Sequence, residues 1–517
     1  MTDWSGGYVS DIEYDALFNP DLAPRQIALA CLVNGCAPPS IKPDFTYCEL
    51  GCGHGLTLNL LAAIEPAGRF VGIDFNPTHV ARAREFAAAC GLDNLSFYEA
   101  SFEELLRDGG SSGMVPFDFM VLHGVYSWVS PANQRAIVEL LRRHLKPGGA
   151  AYVSYNAMPG WAAGLAMQRL FLELADPRLG RSDKLIEQAI AFADELGRAG
   201  AGALRENTFL DNARDRLAKG DIRYLVHEFL NRDWEPLYHA DVARAFAEAK
   251  LEFVASAFLL ANFPHLQLSA EQRRLIEQVP PALRETVKDL CINESFRRDI
   301  YLRGARRLSA GERDDRLRTA RLALRIPRAE AKLKLRVPAG EADLAPRTYE
   351  PVFDALASGP RSVGDLLTLP ALPAAGSSAT PVELAGILVG TYQAVAAGEP
   401  DAAVLDRVRR FNRAVADQVL YGDDVYRKAA LASPIAGTGI AYGAIEIVAH
   451  AEAIRAPEAG IPQIAESVAA RLRAHGRSLL RAGQPAGEDA AAWHGFMVDL
   501  ERRLAANLPL WRSLRML

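Results

Sequence analysis

Glu49-Leu50-Gly51-Cys52-Gly53-His54-Gly55 is the segment whose residue types and spacing can do chemistry. It lies where an apolar run, 45–50, gives way to a helix-forming run, 56–64. Glycines in such a turn permit a tight bend and let a ligand approach the backbone. The amide-rich start of the following helix favours a carboxylate or phosphate. Many nucleotide folds share a glycine-rich turn, so three companions narrow the reading. The spacing is Glu-x-Gly-x-Gly-x-Gly rather than Gly-x-Gly-x-x-Gly. Asp74 ends the next apolar run, about 20 residues on, where an acid can hold ribose hydroxyls. Leu145-Lys146-Pro147-Gly148-Gly149 stands just before a later apolar run.

A second set lies just past the ends of later runs: His123, Tyr126 and Trp128 after 117–122, and Asn156 after 150–155. Aromatic faces attract a cation by about 0.5–2 kcal/mol each. Trp128 suits a pocket wall and a core plug equally well, and His123 suits packing beside a ligand as well as proton transfer. His227-Glu228 is half of a metal motif without its second histidine, so it is read as structural.

These residues need a scaffold. Runs 45–50, 69–74, 95–98, 117–122 and 150–155 read as strands, and 56–64, 77–90 and 132–145 as helices between them. That alternation argues for a parallel, doubly wound α/β sheet. Residues 251–257 and 296–303 read as two more strands finishing the sheet, with the helices of 161–249 as insertions over its ligand edge. Residues 320–326 and 332–337 alternate apolar and polar side chains and read as a short β-hairpin. Beyond a Pro/Ala/Gly/Ser linker at 370–379, helices are expected near 382–397, 401–421, 440–454, 461–482 and 488–507. Residues 349–397 resemble a winged-helix unit, but carry no basic recognition helix. The division expected is an arm (1–40), a core (41–160), a helical lid whose strands complete the sheet (161–305) and a mostly helical C-terminal domain (306–517).

The glycine turn, Asp74-Phe75 and the Pro-Gly-Gly together resemble class I S-adenosylmethionine (SAM) methyltransferases over about 44–155. The resemblance implies a Rossmann-like fold, SAM as cofactor and S-adenosylhomocysteine (SAH) as product. It implies that Gly51, Gly53 and Gly55 line the methionine part of SAM, with Glu49 near its amino group. Asp74 would bind the ribose hydroxyls and Phe75 the adenine. Ser101-Phe102 stands where this fold usually puts an Asp against the adenine, so the Ser101 hydroxyl or a backbone amide would substitute. Tyr8 and Tyr14 would close over SAM, and His123 would sit beside its adenine or ribose.

His123-Gly124-Val125-Tyr126-Ser127-Trp128-Val129, Tyr155-Asn156-Ala157-Met158-Pro159-Gly160-Trp161, His227-Glu228-Phe229-Leu230, Glu235-Pro236-Leu237-Tyr238 and Phe296-Arg297-Arg298 are similar to methyltransferases carrying a regulatory domain. That group includes rickettsial lysine methyltransferases of outer-membrane proteins. The likeness extends more weakly to Ala432–Gly439. It implies a protein lysine as acceptor, with Tyr126 and Asn156 orienting it and Trp128 walling the pocket. Transfer to a small molecule or glycan, or a non-catalytic SAM-binding regulatory role, remain the alternatives.

Composition bounds the rest. The chain has 517 residues, room for two to four domains. With 58 Lys and Arg against 63 Asp and Glu, the net charge is −5 and does not favour nucleic acid. Six cysteines are too few for a disulfide scaffold, and no metal site is expected. The N-terminus has no basic stretch before an apolar run, as a signal peptide would. The longest uncharged stretch, 147–168, is broken by prolines and glycines, so no membrane span is expected. A cytoplasmic protein is the expectation, and homodimerisation is a candidate role for the C-terminal part.

Overall fold

A computed structural model describes residues 6–517 except 108–113, 177, 206, 375, 377, 400–401, 423, 427–428, 476–479, 482–483 and 486–489. Seven strands form one sheet: β1 (Thr46–Leu50), β2 (Arg69–Asp74), β3 (Leu95–Glu99), β4 (Phe117–Leu122), β5 (Leu145–Asn156), β6 (Leu251–Ser256) and β7 (Phe296–Arg303). Their order is β3-β2-β1-β4-β5-β7-β6. The first five run parallel, and β7 lies antiparallel between β5 and β6. Every residue of β1 is buried, as expected of a strand covered on both faces. The chain order reverses between β1 and β4, which places the ligand crevice at their carboxyl ends.

Side chains alternate between two cores. Tyr47, Phe119, Tyr152 and Ile300 pack on one face with α1 (Pro24–Val33), α2 (Leu56–Ile64) and α3 (Pro77–Cys90). Cys48, Met120, Val153 and Tyr301 pack on the other with α4 (Phe102–Arg107), α5 (Pro131–His144) and, after the insertion, the helix His239–Ala247. The insertion, α6 (Leu165–Leu174), α7 (Ser182–Arg198), α8 (Thr208–Ala218) and α9 (Ile222–Phe229), has its own core of Met167, Phe171, Ile186 and Leu225. Local signals set the boundaries. Asn76 caps α3 by accepting the Thr78 N–H at 2.9 Å, ahead of Pro77, and Gly91 ends that helix in the left-handed region.

The C-terminal half packs into the α1–α3 core, sharing it through Phe411, Leu431 and Trp511. Phe86 of α3, for example, meets Phe411 edge-on at 5.6 Å. Two expectations for this half need correction. Residues 320–326 and 332–337 do not pair with each other. Arg321–Leu324 pairs with Arg361–Ser362 and Ala394–Ala397, whereas Lys334–Val337 forms a hairpin with Gly340–Asp343. Pro327 and the turn Arg328–Glu330 divert the chain before a hairpin between the first two runs can close. The helix expected over 382–397 ends at Gly390, because its last residues become the Ala394–Ala397 strand. Among the described residues no helix is long and apolar enough to cross a membrane, and no group of His, Cys, Asp or Glu is placed to hold a metal ion.

Candidate active site

A cavity of about 790 Å³ lies at the carboxyl ends of β1, β2, β4 and β5, under the arm and the insertion helices. Its floor is the glycine turn. Gly51 and Gly55 have φ of +73° and +65°, where other residues are strained. They also have no room for a side chain: a Cβ at Gly51 would meet Val125 Cγ2 at 2.6 Å, and one at Gly55 would meet the Phe97 ring at 2.6 Å. Asp74, the last residue of β2, accepts the Gly53 N–H at 2.8 Å and the Asn76 N–H at 2.9 Å. It therefore ties the turn to the start of α3, and it lines the cavity.

Glu49 is buried beside this turn, and its Oε2 has no hydrogen-bond partner. Burial, reinforced by the charge of Asp74, pushes its carboxyl up to about 8. A buried carboxylate oxygen left unpartnered at a cavity wall fits an ammonium group, as the amino-acid end of SAM would supply. Glycines without side-chain room, Asp74 and Glu49 together suit that cofactor.

Tyr14, Glu49, Gly51, Gly53, Gly55, Asp74, Phe75, Phe102, His123, Trp128 and Asn156 all line the cavity. Tyr8 does too, its ring edge-on to Phe75 at 5.7 Å. His123 has a ring nitrogen 2.9 Å from the Tyr152 hydroxyl and faces the Asn19 amide. Burial and the nearby Arg298 push it down to about 3, so it is a neutral hydrogen-bonding group at ordinary pH.

Two sequence assignments are corrected. The Ser101 hydroxyl donates to Glu104 Oε2 at 2.8 Å and accepts the Glu104 N–H at 3.3 Å, so it caps α4 and does not line the cavity. Phe102 alone of that pair reaches the wall. Tyr126 also lies outside the lining. Gly124 turns the chain at φ +64°, Val125 and Trp128 take the cavity side, and the Tyr126 ring packs edge-on against Phe246 at 5.3 Å. We therefore expect Tyr126→Phe to leave turnover within about twofold of wild type, since it removes only a hydroxyl remote from the site. A tenfold fall in kcat at unchanged stability would contradict this placement.

The structure also brings in residues that spacing along the chain did not single out. The His54 and His79 rings meet at 4.5 Å, tilted by 56°, and His79 faces Asp74 at 3.3 Å. Burial and His79 push His54 down to about 3. His227 lines the cavity and also ties the arm: its Nε2 lies 2.8 Å from the Ile12 carbonyl, and its ring meets Tyr14 at 5.0 Å. Glu228 departs from the structural reading. It lines the cavity, accepts a hydrogen bond from Asn156 Nδ2 at 3.2 Å, and faces the hydroxyl of Tyr224. The signal was available, because Tyr224 and Glu228 are four apart on α9 and share a helix face. Leu225, Val226 and Phe229 of the same helix join the insertion core.

The C-terminal half reaches the site through the arm. The Ala16 N–H donates to the Val425 carbonyl at 2.9 Å. Asp21 takes an ion pair from Arg298 at 2.6 Å and lies 3.3 Å from the Tyr392 hydroxyl. The hairpin Ala430–Ser433/Thr438–Ala441 brings Ala441 to the cavity wall. It needs Gly439, where a Cβ would meet Leu60 at 2.6 Å.

Comparisons with known proteins agree with this geometry. A model described as "Methyltransferase domain" matches residues 41–188, and one described as "Predicted methyltransferase regulatory domain" matches 221–303. The Synechocystis protein sll1526 is 35% identical over 456 residues, spanning 86% of this chain and 87% of its own. PKMT2 from Rickettsia typhi superposes with a TM-score of 0.68 at 17% identity, covering 97% of this chain and 99% of its own. The same protein in complex with AdoHcy gives 0.70 at 18% identity, with the same coverage.

Proposed function

The chain belongs to the SAM-dependent methyltransferases that carry a methyltransferase regulatory domain, and we propose that its acceptor is the side-chain amine of a lysine in a protein. The observation that carries this reading is the make-up of the cavity. Trp128, Trp161, Phe209 and Phe296 line it together with the hydrogen-bonded Asn156–Glu228 pair, and no Arg or Lys among the described residues forms an ion pair with Glu228. Aromatic faces and one buried carboxylate suit a cation on a long apolar stem. Arg216 stands at the rim, its side chain 32% exposed, and its charge is directed to Asp221 at 3.4 Å with the guanidinium 3.9 Å over the Tyr224 ring.

Bound SAM supplies an activated methyl group and leaves as SAH. This chain's own residues do the positioning. The glycine turn, Asp74 and Glu49 would hold one end of the cofactor, and Phe75, Phe102 and Tyr8 would enclose the other. Asn156, at the end of β5, faces the acceptor side. Such positioning can supply much of the rate when nucleophile and methyl carbon are held about 3–3.5 Å apart and in line. The arm, pinned by His227 and by the C-terminal half, excludes water from that contact.

The test is the chemistry of the label. With methyl-labelled SAM and fractionated lysate protein as acceptor, we expect base-stable radioactivity that co-elutes with methyl-lysine after acid hydrolysis. Base-labile label, which marks methyl esters, or label confined to small solutes would overturn the lysine reading.

A further inference from the structure

We propose that Glu228 takes the proton from the acceptor amine, with Asn156 and Tyr224 positioning its carboxylate; this rests on the amine reading above.

A lysine reaches a protein surface as an ammonium ion, with an ordinary pKa near 10.4, and an ammonium has no lone pair to attack carbon. Some group in the cavity must receive its proton. His54, His123 and His227 are pushed down to about 3, 3 and 4 by burial, so they bind a proton too weakly at neutral pH. The phenols of Tyr8, Tyr14 and Tyr224 are pushed up by burial and do not ionise there. Glu49 precedes the glycine turn and Asp74 ties it to α3, His79 is held against Asp74 at 3.3 Å, and Asp15 is carried on the arm beside Tyr14. Glu228 is the cavity carboxylate hydrogen-bonded to the end of β5, through Asn156.

Its surroundings hold it between two protonation states. Burial pushes Glu228 up to about 7 against the hydrogen bonds of Asn156 and Tyr224 and the more distant charge of Arg216, which favour the ionised form. The groups that face it are Asn156 from β5, Tyr224 on its own helix, Arg216 from α8 and Tyr14 from the arm. A base with a pKa near the working pH is ionised often enough to accept a proton and basic enough to keep it.

The step balances without a further reactant. An ammonium N–H bond breaks and its proton passes to a Glu228 oxygen. The freed nitrogen lone pair forms the new bond to the methyl carbon as the carbon–sulfur bond breaks and its electron pair stays on sulfur. The products are a methylammonium and SAH, and the proton on Glu228 leaves to solvent when the site opens.

Below about 7, Glu228 is protonated and cannot accept, so kcat/KM should fall tenfold per pH unit in the wild type. In Glu228→Gln we expect a loss of about 100-fold or more at pH 7.5 and an acid limb displaced upward towards the amine's own titration. Tyr224→Phe removes a hydrogen bond that favours the ionised carboxyl, so its limb should move upward by a smaller step. That shift tests the positioning role even if Glu228→Gln fails to fold.

A second readout needs no turnover. With SAH-loaded protein, binding of n-butylamine should strengthen as pH rises through about 7 in the wild type and stay flat in Glu228→Gln, with SAH affinity unchanged within about threefold. A wild-type pH profile in Glu228→Gln, for either turnover or butylamine binding, would overturn the proposal. If the wild type makes no methyl-lysine, the amine reading itself fails. If it does and the variants show unshifted profiles, only the role of Glu228 fails.

Discussion

Asp74→Ala should weaken SAM binding by at least about 100-fold, measured by calorimetry with SAM or SAH, while the protein keeps its fold. Two losses add. The carboxylate accepts the Gly53 and Asn76 N–H groups, and without it the turn between β1 and α2 loses its tie to α3. If the carboxylate also holds the ribose hydroxyls, as the resemblance implies, they lose a charged acceptor as well. Hydrogen bonds to charged groups contribute about 1.5–3 kcal/mol each, and about 1.4 kcal/mol is a tenfold change in affinity. Asp74→Asn keeps the shape and part of the hydrogen bonding, so it should fall between wild type and Asp74→Ala. Wild-type affinity in Asp74→Ala would remove this residue from the cofactor site.

Arg297→Met should destabilise the protein by about 3–5 kcal/mol, read as a lower urea midpoint, because it leaves buried carboxylates without their cation. Arg297 lies on β7, 5% exposed. It contacts Asp289 at 2.5 Å, Glu285 at 2.9 Å and Asp299 at 3.0 Å, so it joins the sheet to the helix Arg284–Ile292. Asp299 is further held by the Tyr155 hydroxyl at 2.7 Å and by His239 at 3.1 Å. Burial works against the ionised forms throughout. Lys288 and Arg297 override it at Glu285, held at about 2, and Arg297 overrides it at Asp299, held well below the usual range. At Asp289 burial wins, at about 7.

Those directions set the pH dependence. Groups held low stabilise the protein above their unfolded pKa, and lose that contribution as pH falls through the folded value. A group held high does the reverse, so Asp289 costs stability as pH rises from about 4 towards 7. Without Arg297 all three carboxyls rise. The deficit of the variant should therefore be largest near pH 8 and shrink on acidification towards pH 4. A deficit independent of pH would mean that the loss is one of packing rather than of charge.

Legibility before folding differs from one residue to the next. The strands β1, β2 and β4, the later part of β5 and the helices α2, α3 and α5 could be read because each is an apolar or 3.6-periodic run bounded by glycine, proline or a capping residue. The glycine turn was legible for the same reason: its chemistry lies in consecutive residues. Tyr126 was misplaced because position after a strand end does not say to which side a side chain turns. Gly124 decided that by opening a positive-φ bend. Ser101 was misplaced because Glu104, three residues on, offered it a cap. Arg321–Leu324 paired with a strand some 70 residues away, since strand pairing depends on the segments that pack side by side and not on nearness along the chain.

Taken alone, the order of residues determined what local periodicity and short-range chemistry encode: a doubly wound sheet, its glycine turn and the acid at the end of β2, with the cofactor class following from the resemblance these residues carry. Tertiary structure decided what depends on distant segments meeting. It set Glu228 of the insertion against Asn156 of β5, and it fastened the arm through Asp21 to β7 and the C-terminal half. It also turned a surplus of some 200 residues into part of the α1–α3 core rather than a separate appendage. The physical reason is that a buried carboxylate is defined by which groups desolvate and hydrogen-bond it, and those groups come from stretches of chain 70 to 370 residues apart.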